Sequence, residues 1–241
     1  MIAGSVSPVT VSVPFDVEEA TRSSLVSVLR SEGVWKVLIL DERSQSVIAP
    51  LLKVGQLRQF GVTLVLSIDN TDRTPIPDTM AVYIVQPSEH NLDVLLRDIS
   101  RRMYAKYNLQ FIDRISDNTL QDLAQKASKI IPLPLFPAVV ERFINFVPID
   151  AFKFSLELPD TFKNIYDPKS KDVTIVQTID HIVAGLICVL KTLGVRPIIK
   201  LPKNPSSPAR TVGIKLCEQL KELHSTYGDR FISFAGNINY T

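Results

Sequence analysis

Residues 34–96 read VWKVLILDERSQSVIAPLLKVGQLRQFGVTLVLSIDNTDRTPIPDTMAVYIVQPSEHNLDVLL. An apolar run closes at Asp41, a short helix-like segment follows, and a second apolar run opens at Gly61. A polar loop, a third apolar run and an amphipathic segment complete the stretch. Short apolar runs separated by helix-length segments predict buried parallel strands with helices on both faces. The expected fold class is therefore α/β, a Rossmann- or flavodoxin-like parallel sheet of five strands flanked by helices. The loop after the first strand, Asp41-Glu42-Arg43-Ser44-Gln45, holds no glycine, and its carboxylates repel a pyrophosphate. No GxxxxGK[ST] occurs anywhere in the chain. A nucleotide site is excluded on these grounds, and no cofactor is expected.

Working outward, Leu25, Val26, Val28 and Leu29 recur at helical spacing over residues 18–31, and Gly33 stops that helix. Residues 35–40 and 61–68 read as buried strands, apolar on both faces. Between them, residues 47–54 read as a short helix with Pro50 in its first turn. Residues 81–85 form the third strand, and Ser88 caps a helix that runs to about Arg101. Residues 108–112 form the fourth strand. Ser116 caps a helix to Ser128, with Leu120, Leu123, Ala124 and Ala127 on one face. Pro132, Pro134 and Pro137 make the next stretch irregular, and residues 139–146 suit a helix turn leading into a strand. Residues 152–158 alternate and close this unit.

A composition break falls at residues 159–171. A long helix over 174–193 then ends at Gly194, followed by a strand over 196–200, a Pro/Ser loop and a helix over 211–223. The expected organisation is a loosely held tail (1–16), an α/β domain (17–158) and part of a second α/β domain (159–241). The last portion has too few elements to bury a core alone and reads as the opening of a longer domain.

Hydrophobic residues make up 45% and charged residues 22%, enough for a real core. A net charge of +2 gives no basic field of the kind nucleic-acid binding needs. Cys188 and Cys217 sit in apolar helical contexts and read as buried thiols. No apolar run reaches membrane-spanning length, and the N-terminus lacks a basic n-region, so a cytosolic protein with only peripheral membrane contact is expected. His90, His181 and His224 lack ligand spacing, so no metal site is expected, and the absence of GxSxG removes a hydrolase elbow. Asp41 reads as a helix cap. The alternative is a receiver- or flavodoxin-like signalling or enzyme domain that uses Asp41 and Asp69.

KVLILDERSQSVIAPLLKVGQLRQFGVTLVLSID followed by DRTPIPDTMAVYIVQPSEHNLDVLLRDI resembles the first domain of the SM (Sec/Munc) proteins, the syntaxin-binding regulators of SNARE-mediated vesicle fusion. The motifs LQDLAQKASK and VERFINF, and later HIVAGLICVLKTLGVRPIIK, extend the likeness into the family's second domain. PLLKVGQLRQFGVTL with DRTPIPD is most similar to the ER–Golgi branch. The resemblance implies no catalytic residues and no enzyme activity. It implies a syntaxin-type SNARE and SNARE complexes as partners, and peripheral association with ER and Golgi membranes through them. It further implies that a syntaxin N-terminal peptide inserts an aromatic anchor into an apolar pocket lined by Leu120, Leu123, Ala124, Phe136 and Val139 on the outer face of the first domain.

Overall fold

The computed structural model describes residues 15–30, 35–130, 138–195, 197–228 and 238–240. Gly33, residues 131–137 with Phe136, and nearly all of the expected tail lie outside them. The first helix, α1 (Val17–Arg30), leads into β1 (Lys36–Leu40), α2 (Glu42–Ile48), α3 (Val54–Gln59) and β2 (Val62–Ser67). Then come β3 (Ile76–Val85), α4 (Glu89–Ser100), β4 (Tyr104–Phe111), α5 (Asp117–Ser128) and β5 (Ala138–Glu141). The strands form one five-stranded sheet in the order β2-β1-β3-β4-β5, every pair parallel. This is the sheet the sequence predicts.

Successive side chains of a strand point to opposite faces, and the two cores divide accordingly. Val37 and Ile39 of β1 with Ala81, Tyr83 and Val85 of β3 join Leu95 and Ile99 of α4 and Leu123 of α5. Leu38 and Leu40 with Val82 and Ile84 join Leu25 and Leu29 of α1 and Val47 and Ile48 of α2 on the other face. Helix starts follow local chemistry. The Ser88 hydroxyl accepts from Asn91 N–H at 3.3 Å, and the Ser116 hydroxyl from Thr119 N–H at 3.1 Å.

Three local expectations are corrected. The strand read as buried over residues 61–68 is the sheet edge, with Leu64 and Val65 exposed, because only β1 flanks it. Pro50 does not open a helix: α2 ends at Ile48, and Pro50 lies in the turn before α3. At the start of β1 the polarity is inverted. Trp35 is 72% exposed, whereas Lys36 is fully buried and its ammonium donates to Leu29 O at 2.5 Å. That carbonyl lies in the last turn of α1, where carbonyls lack intrahelical partners and a cation is favoured.

Beyond the sheet, β6 (Val147–Asp150) and β7 (Lys153–Ser155) form an antiparallel hairpin, where a single closing element was expected. A short α6 (Thr161–Tyr166) occupies the composition break. The chain continues through α7 (Asp172–Leu193), β8 (Ile199–Leu201), α8 (Pro208–Tyr227) and β9 (Ile238–Tyr240). Gly194 stops α7 at φ +63°, a left-handed conformation that costs glycine nothing. By length and composition α7 is apolar enough to cross a membrane, which corrects the reading that no segment is. Here its Ile179, Val183, Ile187 and Cys188 pack with Leu216, Leu220 and Leu223 of α8 and with Val17, Phe143 and Phe146. These two helices thus share a core with residues that precede residue 159. Both cysteines are free and buried.

Candidate functional site

Ligands in open α/β sheets bind outside the carboxyl ends of the strands, where the strand order reverses, here between β1 and β3. Asp41 sits at that point and is 6% exposed. Its Oδ1 accepts from Ser44 N–H at 2.7 Å; its Oδ2 accepts from Gln86 N–H at 2.7 Å and from the Asn91 amide at 2.8 Å. The same amide donates to Gln86 O at 3.0 Å. Both oxygens of this carboxylate are thus engaged internally, while a crevice of about 240 Å³ stays open beside it, lined by Arg43, Gln86, Asp113, Asn145 and His181. Asp69, the other half of the receiver-like alternative, stands on the surface with His90 Nε2 at 2.9 Å. These geometries speak against that alternative, and the helix-cap reading of Asp41 is the one observed. Among the described residues no three His, Cys, Asp or Glu side chains gather to hold a metal ion.

The 69–75 loop is held by a second buried polar group. Arg73 Nη1 meets Asp98 Oδ2 at 2.7 Å, with the two side chains 4% and 6% exposed. Tyr83 donates to the same carboxylate oxygen at 2.7 Å, and Tyr107 donates to Asp98 O at 3.1 Å. Burial first, and the Asp98 carboxylate second, hold the Tyr83 hydroxyl proton well above its ordinary range. These bonds fix the loop, and Arg73 and Asp98 also line a crevice of about 140 Å³ with Asp69, His90, Arg97 and Arg101.

An apolar groove of about 410 Å³ lies beside β5, the last strand of the sheet among the described residues. Apolar Ile115, Leu120, Val139, Val140 and Phe143 line it together with Asp117, Glu141, Lys191 and Tyr227. Glu141 is the hub. Its Oε1 accepts from Ile115 N–H at 2.8 Å, ahead of α5, and its Oε2 accepts from the Tyr227 hydroxyl at 3.1 Å, at the end of α8. Arg114 meets Glu222 of α8 at 3.3 Å beside it. Burial and the Glu141 carboxylate raise the Tyr227 hydroxyl pKa. Phe143 takes φ +54°, a strained value for a bulky side chain, and its ring is 5% exposed. That turn directs the chain away from β5 and sets the ring under both the groove and the α7–α8 core.

Of the five expected pocket residues, the structure brings Leu120 and Val139 together in this groove, 38% and 44% exposed. Leu123 is not in it: it is 5% exposed, packs in the core with α4, and lines a separate groove of about 390 Å³ between α4 and α5 with Leu92, Leu96 and Thr119. Ala124 is exposed and does not line the groove, and Phe136 lies outside the described residues. At 100° per residue, Leu123 and Ala124 fall about 60° and 40° to opposite sides of Leu120. Leu120 is thus the boundary residue between the core and solvent faces of α5. Glu141, Phe143 and Tyr227 were not expected from the sequence as pocket residues. Tyr227 stands 86 residues from Glu141, and no local pattern links them.

A sequence model of the Sec1 family matches residues 36–235. The chain belongs to the Sec1 family. Protein sly1 of Schizosaccharomyces pombe is 34% identical over 200 residues, covering 83% of this chain and 31% of that protein. Sec1 family domain-containing protein 1 of Homo sapiens is 37% identical over 196 residues, covering 79% of this chain and 30% of that protein. The chain thus spans about 30% of the length of the curated Sec1-family relatives it matches. Among solved structures, Sly1p in complex with an N-terminal peptide of Sed5p superposes with a TM-score of 0.82 at 24% identity. That match covers 92% of this chain and 41% of the other and shows the shared fold. Relatives named for Sly1 agree with the branch expected from PLLKVGQLRQFGVTL and DRTPIPD.

Proposed function

We propose that this chain is the peptide-docking portion of a non-enzymatic regulator of SNARE-mediated vesicle fusion in ER–Golgi transport. It binds the N-terminal peptide of a syntaxin-type SNARE, and its contact with ER and Golgi membranes runs through that partner. The peptide-binding domain corresponds to residues 17–158, with the opening of a second domain after it. The observation that carries the reading is the open apolar groove at Leu120 and Val139. The likeness to Sly1p, whose structure holds an N-terminal peptide of Sed5p, supports the choice of occupant.

An aromatic anchor buried in the groove contributes roughly 1.5–3 kcal/mol. An ammonium placed there removes that contact and adds a desolvation cost. Leu120→Lys is therefore expected to weaken binding of the Sed5p N-terminal peptide at least ~10-fold by calorimetry. Its melting temperature stays near that of the parent, because Leu120 is already 38% exposed. Leu123→Ala serves as the contrasting variant and costs about 2–4 kcal/mol of stability, as a core truncation does. Full affinity in Leu120→Lys would remove the groove as the docking site.

A further inference from the structure

The groove proposed above as the peptide site is not built by the α/β sheet and its helices alone. Tyr227, the last residue of α8, also lines it. The Tyr227 hydroxyl holds Glu141 on β5, and Glu141 in turn holds the N–H that precedes α5. One turn earlier on α8, Glu222 holds Arg114 in the same β4–α5 connection. Lys191, near the end of α7, lines the groove as well, and Phe143 packs into the core that α7 and α8 share. Tyr227 of α8 and Lys191 of α7 thus line one groove with Phe143, and the Arg114–Glu222 pair ties α8 to the connection beside it.

We infer that Tyr227 is a peptide-contacting residue of the groove and that a docked peptide clamps the end of α8 against the β4–α5 connection. The inference rests on the groove being the peptide site. A peptide lying beside β5 covers the Tyr227 ring and shields the Glu141 hydrogen bond from water. The α8 end then opens less often, because its release would uncover the peptide's own contacts. By reciprocity, an α8 end that is loosened binds peptide less tightly. The groove therefore reports the seating of α7 and α8 on the sheet, and peptide docking fixes that seating.

The test uses the whole chain and the Sed5p N-terminal peptide as probe. Tyr227→Ala is expected to weaken binding about five- to tenfold, and Tyr227→Phe, which keeps the ring and loses the hydrogen bond, about twofold. In the unsubstituted chain, peptide addition is expected to slow amide exchange over residues 220–227 as well as over α5. A role confined to folding would lower the melt in both variants and leave the peptide without effect on exchange in α8. Parent-like affinity in Tyr227→Ala, or unchanged exchange over residues 220–227 at saturating peptide, overturns the inference. If Leu120→Lys loses binding while Tyr227→Ala keeps it, this inference alone falls. If the unsubstituted chain binds no peptide, the docking reading falls with it.

Discussion

Replacing Asp98 by alanine removes the carboxylate that holds both Arg73 and Tyr83, each at 2.7 Å. Arg73 would then stand nearly buried without its counter-charge, and breaking such a pair costs about 3–5 kcal/mol. Urea unfolding of Asp98→Ala should show a loss of that size, with the midpoint lowered and the slope unchanged. The same cluster sets an alkaline limit. Tyr83 keeps its proton in the folded state well above its ordinary range, through burial and then Asp98; burial raises Tyr104 and Tyr107 as well. The unfolded chain releases these protons near pH 10 and the folded chain only above it, so stability is full below about pH 10 and falls as pH rises further. Tyr83→Phe should make that fall shallower in unfolding curves taken between about pH 9 and 11. An unchanged fall would assign it to the other tyrosines. Polar residues of this kind divide by the range of their partners. Asp41 was legible as a cap because Ser44 is three residues away. Its bonds to Gln86 and Asn91, across β3 and α4, were not.

At the scale of the element, end signals are what the sequence carries best. Ser88 and Ser116 each satisfy an N–H three residues on, and Gly194 takes the left-handed turn that closes α7. Gly194→Ala forces a side chain into φ +63° and should cost about 1 kcal/mol, read as a lower unfolding midpoint. No change would mean that the turn relaxes. Tertiary placement was less visible. Residues 62–67 are apolar enough for a central strand, yet they form an edge, because strand order depends on which crossover connects where. For α5 the apolar spacing was read correctly as one face. Whether a member of that face meets the core or the groove depends on β5 and α8, and the prolines before β5 hid the register of that strand. Leu120 and Val139 were therefore reachable from the sequence, whereas Glu141 and Tyr227 were not.

Over the whole molecule, Asp41 at the switch point of the sheet spends both oxygens on Ser44, Gln86 and Asn91, and the apolar groove lies apart from it beside β5. The segments beyond residue 159 are not an appendage, since α7 and α8 bury Phe143 and Phe146 from the sheet side. Lys36 stands inside this assembly, fully buried and bonded to the end of α1. A consequence follows for amine chemistry. An acylating reagent in water reaches Lys153, 73% exposed, at once, but it reaches Lys36 only when α1 leaves the sheet. For a domain stable by about 5–15 kcal/mol, that opening slows labelling by a factor of roughly 5 × 10³ or more. Mass spectrometry after a short acetylation pulse should find Lys153 modified and Lys36 intact. Raising urea should then bring Lys36 labelling up in step with the loss of circular dichroism. One buried ammonium thereby serves as a chemical clock for opening of the fold, and early acetylation of Lys36 would show that α1 detaches on its own.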